Sequence, residues 1–83
     1  MTLLYFAGLR ETLGLSREQV ALEQGGGTVS ALVDQLRKRD GLWNDAFSPG
    51  KTWRVAVNQQ MANLATPIKP GDEIAFFPPV TGG

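Results

Sequence analysis

Hydrophobic and polar positions divide the chain into a few short elements. Thr2-Leu3-Leu4-Tyr5-Phe6-Ala7 is apolar and β-forming, and it predicts a strand. Gly8 to Gly14 carries Leu9, Arg10, Glu11 and Leu13, enough for a short helical turn closed by a glycine. Gln19-Val20-Ala21-Leu22-Glu23 alternates and predicts a second strand, so the start reads as a β-hairpin with a helical insert. Gly25-Gly26-Gly27 breaks the pattern and reads as a linker, since it lacks the lysine and spacing of a phosphate-binding loop. Val29, Leu32, Val33 and Leu36 then form an amphipathic stripe at i, i+3, i+4 and i+7, with Thr28 as the N-cap. Arg37-Lys38-Arg39 complements the helix dipole as a solvated end, and Gly41 is the expected stop. Leu42 to Thr52 reads as loop. Trp53-Arg54-Val55-Ala56-Val57 predicts a strand, Asn58-Gln59-Gln60 a turn, and the residues around Met61 a short extended piece. Pro70-Gly71 is a turn signal, Asp72-Glu73 reads as solubilising charge, and Glu73-Ile74-Ala75-Phe76-Phe77 is the final strand.

The order predicts an α+β fold, a mixed sheet with one main helix packed on one face. Residues 1–77 form the domain and 78–83 an extended tail. If Leu3, Tyr5, Val55, Val57, Ile74 and Phe76 face the helix, then Leu4, Phe6, Ala56, Ala75 and Phe77 face away. A sheet with one solvated face normally alternates apolar with polar residues. Here the first and last strands are apolar on both sides, so the second face needs a cover. A partner protein supplies one reading. The loop from Leu42 to Thr52, carrying Trp43 and Phe47, supplies the other.

Composition narrows the chemistry. Eight basic and eight acidic residues leave the 83-residue chain formally neutral, which argues against tight nucleic-acid binding. A hydrophobic content of 42% argues against disorder. No apolar run approaches a membrane span and no signal peptide is visible, so a cytoplasmic protein without membrane association is expected. There is no Cys and no His. Thiolate nucleophiles, disulfides, His-based triads and the usual zinc sites are therefore excluded, and no metal site is expected. A chain so equipped takes part in a reaction as a substrate or carrier, and no catalysis by the chain alone is expected.

The C-terminus carries the clearest chemical signal. Pro78-Pro79 stiffens the chain without backbone donors, and Gly82-Gly83 has no Cβ. Six residues reach roughly 20 Å beyond the sheet. Such a tail can pass a terminal carboxylate through a narrow channel into another protein's site.

Three segments resemble the molybdopterin synthase small subunit: Leu4-Tyr5-Phe6-Ala7-Gly8-Leu9-Arg10-Glu11, Val55-Ala56-Val57-Asn58, and the run from Gly71 to Gly83. The resemblance implies a ubiquitin-like β-grasp fold and a place in a heterotetrameric synthase. It implies that Gly83 is adenylated by an ATP-dependent, E1-like activating enzyme and converted to a thiocarboxylate with sulfur from a donor protein. The tail, Pro78, Pro79, Val80, Thr81, Gly82 and Gly83, would then enter the large subunit and pass sulfur to precursor Z (cyclic pyranopterin monophosphate). By the same resemblance Phe6, Met61 and Phe77 contact partners. ATP belongs to the activating enzyme, and the chain itself is expected to bind no cofactor. A thiamine-type carrier or a modifier joined to lysines is the alternative.

Overall fold

The computed structural model describes residues 1–23 and 27–79. Two glycines of the expected linker, Gly25 and Gly26, lie outside them, as do Val80, Thr81, Gly82 and Gly83. The sheet has five strands in the order β2-β1-β7-β4-β5: β1 Thr2–Tyr5, β2 Arg17–Gln19, β4 Arg54–Val57, β5 Gln60–Ala62 and β7 Glu73–Phe77. β1 and β7 are parallel neighbours at the centre, and the other pairs are antiparallel. This is the mixed sheet that the sequence predicts. A two-stranded ladder, β3 Gly27–Thr28 with β6 Pro67–Ile68, lies apart from it and is absent from the sequence reading.

The first and last strands and the main helix, α2 Val29–Arg37, fall where the pattern puts them. Thr28 caps α2 by accepting from the Ala31 N–H, and Val29, Leu32, Val33 and Leu36 are all buried. α1, Ala7–Leu13, ends at Gly14, whose φ of 69° is the left-handed conformation a glycine adopts freely. Three expectations are corrected. β2 occupies Arg17–Gln19 and not Gln19–Glu23, because the ladder pairs Leu4 with Arg17 and Thr2 with Gln19. Val20 and Leu22 pack against the core from beyond its end. Gly41 does not stop α2, which ends at Arg37; it opens α3, Gly41–Ala46. The expected loop thus begins with a helix, nucleated by the Asp40 carboxylate accepting the Leu42 and Trp43 N–H groups.

One cluster fills the space between the sheet and the helices. Leu3, Tyr5, Val55, Ile74 and Phe76 enter it from the strands, and Trp43 and Phe47 from α3 and its C-cap. The rings interlock: Tyr5 stacks on Phe76 at 5.9 Å between centroids, and Phe47 meets Phe76 edge-on at 5.1 Å. Trp43 meets Tyr5 edge-on at 5.5 Å. Such pairs add about 0.5–1.5 kcal/mol each beyond the area they bury.

Candidate docking face and tail base

The helices and the segment from Leu42 to Thr52 share one side of the sheet, since Trp43 and Phe47 are buried against Tyr5 and Phe76. They cannot also cover the other side. Among the described residues nothing does, and the reading in which that loop folds over the second face is ruled out.

Strand register sets out the open face. One row runs across four strands as Leu4, Ala75, Ala56 and Met61. The next places Phe77 opposite Arg54 on β4. Phe6 continues β1 past its last paired residue, and its N–H donates to the Phe76 carbonyl, so it stands beside Phe77. Immediately after Phe6, Ala7 turns the chain away with a φ of 50°. Phe6 is 45% exposed and Met61 66%, high values for large apolar side chains. Leu4, Ala75 and Phe77 are half-buried, while Ala56, with only a methyl group between two strands, is nearly buried. Phe6, Met61 and Phe77, expected as partner contacts, are therefore brought to one continuous apolar face.

Two polar networks pin the strands of this sheet near its two edges. At the β4–β5 turn, Asn58 and Gln59 both have positive φ, 51° and 67°, the pairing a two-residue hairpin requires. The Asn58 amide donates to Asp72 Oδ1 at 3.0 Å, and its carbonyl oxygen accepts the Glu73 N–H at 3.0 Å. Asp72 also accepts from the Lys69 N–H and ammonium, closing the turn in which Gly71 has a φ of 91°. The Asn58 hydrogen bond, then those from Lys69, hold the Asp72 carboxyl down at about 2. Asp72 is thus a nearly buried strut of the β7 start, not the solubilising surface charge the sequence suggested. At the opposite edge, Glu18 takes a bidentate pair from Arg39, both contacts 2.8 Å, and a hydrogen bond from the Tyr5 hydroxyl. Burial pushes the Glu18 carboxyl up, but the Arg39 and Tyr5 bonds outweigh it and the net direction is down. Burial, then Glu18, pushes the Tyr5 hydroxyl well above the ordinary phenol range. Arg39 also lies 4.4 Å over the Trp43 ring, so this end of α2 is engaged and not simply solvated. Neither strut is legible in a short-range pattern, because each joins residues 13 or more positions apart.

The tail leaves β7 beside Phe77. Pro78 is exposed and Pro79 half-buried, and Pro78 borders a recess of about 310 Å³ lined by Gly8, Leu9, Thr12, Lys51 and Trp53. Val80, Thr81, Gly82 and Gly83, the remaining expected contact and reacting residues, lie outside the described part. Among the described residues no group of three His, Cys, Asp or Glu side chains is placed to hold a metal, and no helix is long and apolar enough to cross a membrane.

Comparison with known proteins fits this geometry. A molybdopterin synthase sulfur carrier subunit from Haemophilus influenzae is 41% identical over 83 residues, covering 100% of this chain and 99% of its own. The crystal structure of small archaeal modifier protein 1 of Haloferax volcanii superposes with a TM-score of 0.76 at 28% identity, covering 95% of each chain. A chain from the complex of subunits 1 and 2 of the molybdopterin-converting factor of Helicobacter pylori superposes with a TM-score of 0.61 at 26% identity, over 99% of this chain and 96% of that one. The fold is the ubiquitin-like β-grasp. The ThiS family model matches residues 3–83, and the chain belongs to the ThiS family.

Proposed function

We propose that the chain is the sulfur-carrier subunit of molybdopterin synthase and that Gly83 carries the sulfur. The observation that carries this reading is the end-to-end match to a sulfur carrier subunit, 41% identical over 83 residues. The open apolar face beside the root of the tail supports it by offering a surface for the large subunit. In the proposed cycle the Gly83 carboxylate attacks the α-phosphorus of ATP on the activating enzyme and releases pyrophosphate. Hydrosulfide, or its equivalent from a donor protein, then adds to the acyl carbon, and AMP leaves with the C–O bond electrons. The product is a thiocarboxylate, and adenylation is needed because a carboxylate is a poor acyl donor. The large subunit accepts the tail, and the thiocarboxylate sulfur bonds to a carbon of precursor Z as an oxygen substituent leaves. Water then cleaves the acyl C–S bond, which restores the Gly83 carboxylate and leaves the sulfur on the growing dithiolene of molybdopterin. Proton transfers fall to the two partners, since this chain has no His or Cys.

The likeness to small archaeal modifier protein 1 favours a second reading, a modifier joined to lysines. The two diverge at the large subunit. Deleting Gly83 shortens the tail by roughly 3.5 Å, as much as the whole reach of a reactive approach. In a synthase reconstituted with the large subunit, that deletion should abolish dithiolene formation while leaving subunit binding within a few-fold. Near-normal activity of the deletion would overturn the carrier reading. Lysine adducts without any dithiolene product would favour the modifier.

A further inference from the structure

The open face is not purely apolar, and its charges are placed asymmetrically. Register sets Arg17 opposite Leu4 on β2 and Arg54 opposite Phe77 on β4. Their neighbours fix the side each points to. Glu18, next to Arg17, turns inward to the Tyr5 hydroxyl, while Gln19 reaches Thr2 Oγ1 in the outward row. Val55, next to Arg54, is 3% exposed within the core. Both arginines are exposed, and among the described residues neither has a carboxylate within ion-pair distance. Arg39, by contrast, is fully engaged with Glu18. β1 and β7 lie between the strands that carry Arg17 and Arg54, so the two positions stand roughly 15 Å apart across the band of Leu4, Ala75, Ala56 and Phe77. The outward carboxylate of this face is Glu73, beyond Ala75 and away from Phe77. The chain as a whole has no net charge, so these flanks are a local feature and not part of a general positive field.

We infer that Arg17 and Arg54 are specificity determinants of the docking face, and that they select a partner surface whose apolar ridge is flanked by two carboxylates roughly 15 Å apart. The identity of that partner as the large subunit of the synthase rests on the function proposed above. A guanidinium is weakly hydrated, stays charged, and pairs bidentately with a carboxylate, so it can border a drying apolar contact. Charges at a rim act mainly on encounter and register, leaving the apolar band to set the dissociation rate. A second copy of this chain is a poor occupant, because a face-to-face pair brings four arginines together with only two copies of Glu73 among the described residues.

The test measures association and dissociation rates of the full chain with its large subunit at low and high salt. Arg17→Glu with Arg54→Glu should slow association about tenfold or more at low salt, with dissociation changed much less. Arg17→Lys with Arg54→Lys should restore most of the rate, and the Gln pair should fall between. Lys38→Glu places a reversed charge on the exposed end of α2, away from this face, and should leave association within about twofold. Salt should shrink the difference between the wild type and the Glu pair. Equal rates for the Glu pair and Lys38→Glu would overturn the inference while leaving the carrier function standing. Failure of the wild type itself to bind the large subunit would remove both. A stable homodimer that the Glu pair dissolves would overturn it in favour of a second copy.

Discussion

The two faces of the sheet are made from the same strands and are both apolar, yet only one of them is covered among the described residues. On the inner face, Leu3, Tyr5, Ile74 and Phe76 are all at most 1% exposed beneath α2 and α3. On the outer face, Leu4, Phe6, Ala75 and Phe77 alternate with them along the same strands, and among the described residues no element covers them. Apolar character therefore does not separate a folding surface from a docking surface; coverage does. The inner face has an aromatic lattice held from both sides, which favours one rigid arrangement. The outer face is open and flanked by the exposed Arg17 and Arg54, which suits the docking role proposed for it.

The largest expected effect breaks the inner face. Phe76→Asp puts an unpaired carboxylate at a position with 0% exposure, in a ring cluster with Tyr5, Phe47 and Trp53. A cost of several kcal/mol against a total stability of about 5–15 kcal/mol should leave the chain largely unfolded, as circular dichroism would report. Next is Phe47→Ala, which removes the ring joining α3 to Phe76 and Trp53. Denaturant titration should show a loss of about 3–5 kcal/mol, and a loss below about 1 kcal/mol would mean that α3 is not part of the core. The smallest effect concerns acid. Asp72 has an ordinary value of 3.8 that falls to about 2 in the fold, so the native state prefers the carboxylate. Its contribution is complete above pH 3.8 and drains away as the pH falls toward 2. Urea melts across that window should show a steeper loss for the wild type than for Asp72→Asn. Parallel pH profiles would remove Asp72 from the strut.

Much of this was readable from the sequence where a short-range pattern carries the information. The helical stripe from Val29 to Leu36 and the alternation of Ile74 and Phe76 against Ala75 and Phe77 gave the main helix, the last strand and the two faces. Alternation alone puts Phe6 and Phe77 on the outward face, and Met61, expected as a partner contact only through the resemblance, joins them there because it pairs with Ala56. What failed depended on distant partners. α3 is six residues long with no apolar stripe of its own, and Trp43 and Phe47 make sense only once Tyr5 and Phe76 stand opposite. The β2 shift has the same origin. Val20 and Leu22 look like the apolar half of a strand, but the ladder ends before them and they fill the core margin instead. Asp72 reads as surface charge beside a Pro-Gly turn, and only the folded position of Asn58 makes it a strut.

The most direct test of the contrast between faces changes one residue and reads two quantities. Phe77→Asp alters the neighbour of Phe76 on the outward side of the same strand, next to the root of the tail. Thermal melting of the variant and its titration with the large subunit of the synthase should be measured together. The expected result is a folded protein that melts within a few degrees of the wild type but binds about 100-fold or more weakly, the consequence of placing a carboxylate in an apolar contact. A variant that unfolds, or one that binds as the wild type does, would contradict the assignment of this face to partner docking.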